Sequence, residues 1–75
     1  MPSTSGLWDR IQGNWDNVVG HAEKEWGKIT HDELLQSRGN REILAGHIQS
    51  KYGVAKHDAH VQIDKFAAKV DDLTK

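Results

Sequence analysis

The sequence predicts an all-α protein, a small array of four helices arranged as two helical hairpins. An internal repeat of 26 residues runs through the chain, and apolar residues recur at helical spacing in both copies. No segment alternates polar and apolar residues with the period of two that indicates a half-buried strand. At 75 residues, the chain is long enough for one small domain with a modest core and low stability.

The repeat is visible when the sequence is shifted by 26 positions. Eight residues then meet identical residues, where average composition would give about two matches. The first copy contains Gly13, Asn14, Gly20, His21, Gly27, His31, Asp32 and Gln36, and the second contains Gly39, Asn40, Gly46, His47, Gly53, His57, Asp58 and Gln62. A duplicated unit of this kind predicts a fold, but it does not predict a chemistry.

The first helix is predicted from about Leu7 to Trp26. With Trp15 at the centre of a helical wheel, six apolar residues fall within about 60° of it and form one continuous stripe, namely Trp8, Ile11, Val18, Val19, Ala22 and Trp26. Ser5 is a suitable N-cap, and Gly27 is a suitable left-handed residue after the last turn.

The second helix begins at a predicted capping box. In this motif the Thr30 hydroxyl accepts from the Glu33 amide, and the Glu33 carboxylate accepts from the Thr30 amide. The Gly-Asn pair at 39–40 favours a break. The repeat then resumes in a third helix, which we expect to end at Gly53.

The fourth helix carries an apolar stripe from Ala55 to Leu73. We expect the four stripes to face one another, with the aromatic side chains supplying most of the buried volume. The predicted core consists of Trp8, Ile11, Trp15, Val18, Trp26, Leu44, Ile48, Tyr52, Ile63, Phe66 and Val70.

Composition argues against several classes of function. The chain has no cysteine, which excludes disulfides and thiolate metal sites and suits a reducing cytoplasm. Its net charge of −1 lacks the positive field that binding to a phosphate backbone requires, so nucleic acid is an unlikely partner. Neither a secretion signal nor a membrane span of about 20 apolar residues is recognisable. We expect a flexible extension at 1–6 and a single cytoplasmic domain over 7–75.

Catalysis is not predicted, and neither is a cofactor. No phosphate-binding loop, zinc-protease motif or serine-hydrolase motif occurs. A helical array this small is also expected to lack a pocket of about 300 Å³ or more, the usual size of a ligand site.

Two constellations have both a functional and a structural interpretation. His57, His60 and Asp64 share one flank of the last helix at a spacing that suits a divalent ion, but a solvated polar flank is the expected outcome and no metal site is predicted. Gly13 and Gly20 lie opposite the tryptophan stripe, where each costs about 1 kcal/mol relative to alanine. Either another helix docks on the strip that these two glycines form, or the glycines lower the stability of the helix to an extent that the fold tolerates.

Four sequence blocks carry a family resemblance. They read WDRIQGNW at 8–15, EKEWGKIT at 23–30, GNRE at 39–42 and IQSKYG at 48–53. Through them the chain resembles the CsbD-like bacterial stress-response family over roughly residues 8–66. The resemblance implies a small four-helix protein, induced under general stress, with no established molecular activity and no catalytic residue to carry over.

Two functions from different classes fit these observations. The first is a non-enzymatic, hydrophilic stress-response protein that acts by its presence or through weak contacts. The second is a helical interaction module that docks on a specific protein partner. Weak nucleic-acid binding through basic clusters and exposed aromatic side chains is a third. We expect a monomer or a weak homo-oligomer that does not associate with membranes.

Overall fold

The computed structural model describes the backbone of residues 3–73 and the side chains of residues 6–72. This part of the chain is entirely helical apart from its connections, which confirms the all-α class. The predicted number of four helices is wrong, because the described residues form five. They are α1 (Ser3–Gly13), α2 (Trp15–Glu25), α3 (His31–Ser37), α4 (Arg41–Tyr52) and α5 (Lys56–Leu73).

The fifth helix arises because the predicted first helix is broken at Asn14. A straight helix over 3–25 would be about 35 Å long at 1.5 Å per residue, whereas the longest dimension of the protein is 30 Å. The break instead lays α1 against α5.

The start of α1 also differs from the prediction. The helix begins at Ser3, so Ser5 lies inside it and is not its N-cap. Residues 3–6 of the expected extension are therefore helical, whereas residues 1–2, and residues 74–75 of the expected domain, lie outside the described residues.

The connection between α2 and α3 differs from the prediction at Gly27, and it contains a capping box formed by Thr30 and Glu33. Gly27 does not adopt the left-handed conformation. Instead, α2 ends at Trp26 (φ −123°, ψ 75°), whose N–H donates to the Ala22 carbonyl. In the capping box, the Glu33 N–H donates to the Thr30 hydroxyl over 3.1 Å, and the Thr30 N–H donates to the Glu33 carboxylate over 3.0 Å.

Left-handed residues end both α3 and α4. Arg38 (φ 52°) and Gly39 (φ 75°) reverse the chain after α3, and Gly53 (φ 67°) ends α4. Asn40 then begins α4 with its side chain accepting the Ile43 N–H over 3.0 Å. The α3–α4 turn is thus fixed by its own backbone and side chains.

Two indole rings lie against this turn. Trp8 Nε1 donates to the Gly39 carbonyl over 2.9 Å, and Trp15 Nε1 donates to the Leu34 carbonyl over 2.7 Å. A Cβ on Gly39 would lie 3.1 Å from the Trp15 ring and 3.2 Å from Gln12. Glycine is therefore required at position 39 both for its backbone conformation and for the space it leaves.

One hydrophobic cluster contains the whole core. Every predicted core residue is buried except Tyr52, which is partly buried at the edge of the cluster, where its hydroxyl accepts the Lys28 N–H over 3.1 Å. Eight further buried residues among those described were not on the predicted list, namely Val19, Ala22, Ile29, Leu34, Ser37, Ala45, Ala59 and Ala67. Four of these residues are alanines on α2, α4 and α5, and α5 contacts both α2 and α4.

Buried positions recur at intervals of 26 residues along the chain. Two such series are fully buried, Val18, Leu44 and Val70, and Ile11, Ser37 and Ile63. Burial therefore follows the sequence repeat. The arrangement of two hairpins predicted from the sequence is not confirmed, because α1 is a separate element that packs against α5.

Candidate interaction surface

An arginine binds two of the three residues that were considered as a candidate metal site. Arg41 Nε donates to His60 Nδ1 over 3.0 Å, while its Nη2 donates to an Asp64 carboxylate oxygen over 2.5 Å and to the His60 carbonyl over 3.3 Å. His57 is exposed. Because the guanidinium already occupies Nδ1 of His60 and one oxygen of Asp64, the three residues do not form a metal site. Within residues 3–73, no group of three or more histidine, aspartate or glutamate side chains is placed to hold a metal ion.

The same arginine is the centre of a polar network between α4 and α5. His60 Nε2 lies 3.6 Å from the Glu42 carboxylate, which in turn lies 3.3 Å from the Lys56 ammonium. Arg41 occupies the repeat position that Trp15 holds in the first copy. A charged network therefore joins the two helices at a position where the other copy uses a buried indole.

Glu33 is a second centre of charge and joins α3 to α4. Its carboxylate lies 3.2 Å from the Lys51 ammonium and 3.9 Å from His47 Nδ1. The hydrogen bond from the Thr30 backbone, with help from Lys51, lowers the pKa of Glu33 below its ordinary value of 4.5. This shift follows from a helix cap and an ion pair, so it has a structural cause.

The glycine strip is open. Gly13 and Gly20 are exposed, and no atom of the described structure lies within 4 Å of a Cβ placed on either residue, apart from the local backbone. No other helix of this chain therefore docks on the strip. Gly46, at the repeat position of Gly20, is equally open on α4.

Surface clefts are larger than the sequence led us to expect. Clefts of about 510, 350 and 320 Å³ exceed the predicted limit of 300 Å³. The first lies between the start of α2 and α3, where Asn14, Asn17 and Arg38 supply polar groups and Leu35 an apolar one. Asp16 also lines this cleft, and its described lining includes no serine, histidine or lysine.

The aromatic side chains are not available for stacking on nucleic-acid bases. The three tryptophans and Phe66 are buried, and Tyr52 is half-buried with the Lys28 ammonium 5.3 Å from its ring centre. The nucleic-acid alternative relied partly on exposed aromatic side chains, and that part of it has no structural basis.

Sequence reasoning missed two features of this surface. One is the Arg41 network, for which the available signal was a charged residue at the repeat position of a core tryptophan. The other is the exposure of Leu35 (37%) and Ile43 (48%), the large hydrophobic residues that remain accessible on the described surface. No helix within residues 3–73 is both long and apolar enough to cross a membrane.

Comparison with known proteins gives one family and several partial relatives. A UPF0337 protein of Rhizobium meliloti is 48% identical over 29 residues, which cover 39% of this chain and 42% of that protein. One from Agrobacterium fabrum is 42% identical over 34 residues (45% and 51%), and one from Pectobacterium atrosepticum is 42% identical over 33 residues (44% and 48%). The chain thus spans about half the length of the curated relatives it matches. No solved structure gives a significant match.

The family model described as CsbD-like matches residues 9–60, which include the break at Asn14, the capping box of α3 and the Arg41 network except Asp64. The match covers more than half of the sequence. The chain belongs to the CsbD-like family.

Proposed function

We propose that this protein is a non-enzymatic stress-response protein of the bacterial cytoplasm, which acts through weak contacts between its folded surface and other macromolecules. One observation supports this most directly. The side chains best suited to chemistry, Glu33, His60 and Asp64, are each engaged in ion pairs or hydrogen bonds that join neighbouring helices. The family match supports the same proposal, and the lack of cysteine suits a reducing compartment.

Protection of an unrelated enzyme tests this proposal. The purified protein is added over a range of concentrations to an enzyme that loses activity on heating or drying, with the same mass of lysozyme as the control. We expect retained activity to rise gradually with concentration and without saturation at one to one. Protection no better than that given by lysozyme would contradict the proposal.

A second candidate function is docking on one specific protein partner. The open face at Gly13 and Gly20 and the exposed Ile43 side chain favour it, because a partner helix can approach a glycine backbone closely. Changing both Gly13 and Gly20 to alanine should stabilise the folded monomer by about 1–2 kcal/mol in total and abolish capture of a stoichiometric partner from stressed cells. Capture that is unchanged by the double substitution would exclude docking through this face.

A further inference from the structure

The junction between α1 and α2 is a single residue, Asn14, whose side chain does not fix the break. Its carboxamide makes no capping bond to α2, and its Oδ1 accepts only from Asn17 Nδ2, over 3.2 Å. The backbone angles of Asn14, φ −115° and ψ 24°, differ from helical values by about 50° and 65°. Rotation about two bonds therefore makes α1 and α2 one continuous helix.

The equivalent junction in the second copy of the repeat is constructed differently. Asn40 caps α4 through its bond to the Ile43 N–H, and two left-handed residues, Arg38 and Gly39, precede it. The Gly-Asn pair is the same at both junctions. The chain reversal before α4 is thus encoded locally, whereas the bend before α2 depends on contacts with other parts of the fold.

Those contacts join α1 to α5 and to the α3–α4 turn. Trp8 is buried, donates to the Gly39 carbonyl over 2.9 Å and meets Phe66 edge to face, with ring centres 6.5 Å apart. On the outside, Arg10 lies 2.6 Å from Asp71. The geometry of these contacts does not depend on which chain supplies α1.

The apolar stripe crosses the junction without interruption. Trp8 and Ile11 before the break are in helical register with Trp15 and Val18 after it. In a straightened helix, α1 would project beyond the protein with Trp8 and Ile11 still on one face. That face is covered when α1 occupies the same position on another molecule.

We propose that the α1–α2 junction is a hinge through which two copies of this chain exchange α1. In the exchanged dimer, α1 of each copy packs against α5 and the α3–α4 turn of the other, and residues 3–25 form one helix. Both molecules keep the contacts of Trp8 and Arg10, which now join one chain to the other. The hinge in each of the two chains also gains helical hydrogen bonds. Exchange of an identical element is a low-cost route to a dimer, and mass action favours it at high protein concentration.

Asn14→Ala tests the hinge. Alanine favours the helix more than asparagine does, and the substitution removes no cap from the monomer. After refolding at high concentration, we expect sedimentation equilibrium to show a dimer whose Kd is at least about tenfold lower than that of the unmodified protein. Gly20→Ala is the matched control, since it raises the helix propensity of α2 away from the hinge, and we expect it to associate no more than the unmodified protein. A monomeric Asn14→Ala variant, or equal dimerisation of both variants, would overturn the proposal.

A cross-link identifies the exchanged element. The chain has no cysteine, so single thiols are introduced into two separate Asn14→Ala chains, one by Arg10→Cys and the other by Asp71→Cys. The two chains are refolded as a mixture and treated with a short bismaleimide. We expect a covalent dimer of mixed composition, because α1 of one chain then lies against α5 of the other. A dimer that gives no mixed cross-link associates through another surface, and that result also overturns the proposal.

Discussion

Replacing Gly39 by alanine tests how the fold is fixed at the α3–α4 turn. The left-handed backbone at φ 75° costs alanine about 1–2 kcal/mol. The added Cβ would also lie 3.1–3.2 Å from the Trp15 ring and from the Gln12 backbone and side chain. The backbone atom cannot move cheaply, and the ring is held by the bond from Trp15 Nε1 to Leu34, so overpacking adds about 1–3 kcal/mol.

Gly53→Ala is the matched control for this substitution. Gly53 has nearly the same backbone angle (φ 67°), but nothing lies within 4 Å of its added Cβ, so we expect only the backbone cost of about 1–2 kcal/mol. Domains of this size have about 3–5 kcal/mol of stability, so the Gly39 variant should lose most of its stability. Urea unfolding followed by tryptophan fluorescence measures both variants. Equal destabilisation would refute the close approach at Gly39, and an unchanged Gly39 variant would refute the described turn.

Four further predictions concern single residues. Asn40→Ala should cost about 1 kcal/mol because it removes the cap on α4, whereas Asn14→Ala should change monomer stability by less than about 0.5 kcal/mol. Urea midpoints at low protein concentration compare the two variants. Equal losses of stability would contradict the difference in capping. Arg38→Gly should stabilise the fold by about 0.5–1 kcal/mol by relieving a left-handed arginine, and a lower thermal midpoint would contradict this. Trp15→Ala should cost about 3–5 kcal/mol and leave the chain largely unfolded, which a cooperative melt near the native midpoint would refute. Because the pKa of Glu33 is lower in the folded state than in the unfolded state, its stabilisation is present above about pH 4.5 and is lost as the pH falls through the lowered pKa. Glu33→Gln should therefore flatten the dependence of stability on pH below about 4.5, and an unchanged profile would contradict the assigned cause.

Structural features that a few adjacent residues specify were predictable from the sequence. Features that depend on contacts between distant residues were not. The Thr30–Glu33 capping box and the left-handed Gly53 are each specified by a few adjacent residues. The break at Asn14 was missed even though the identical Gly-Asn pair at 39–40 was recognised as a break, because the first bend is produced by Trp8 reaching the Gly39 carbonyl, 31 positions away in sequence.

The Arg41 network on the candidate metal flank was not predictable for a related reason. The spacing of His60 and Asp64 on one helix was correct, but a wheel projection contains no information about a guanidinium from another helix. Arg41 lies 19 and 23 positions before these residues. The repeat did contain a usable clue, since a charged residue at the position of a core tryptophan must find partners when half-buried.

Hydrogen exchange of the three indole N–H groups shows whether the described residues form the packed domain on which the proposed function depends. All three are hydrogen-bonded, Trp8 to Gly39, Trp15 to Leu34 and Trp26 to the Gln62 side chain. We predict slow exchange at Trp8 and Trp15, whose bonds are buried, with Trp26 protected to a lesser degree. Exchange of all three at the rate of a free indole would show that the helices do not pack as described and would contradict the account.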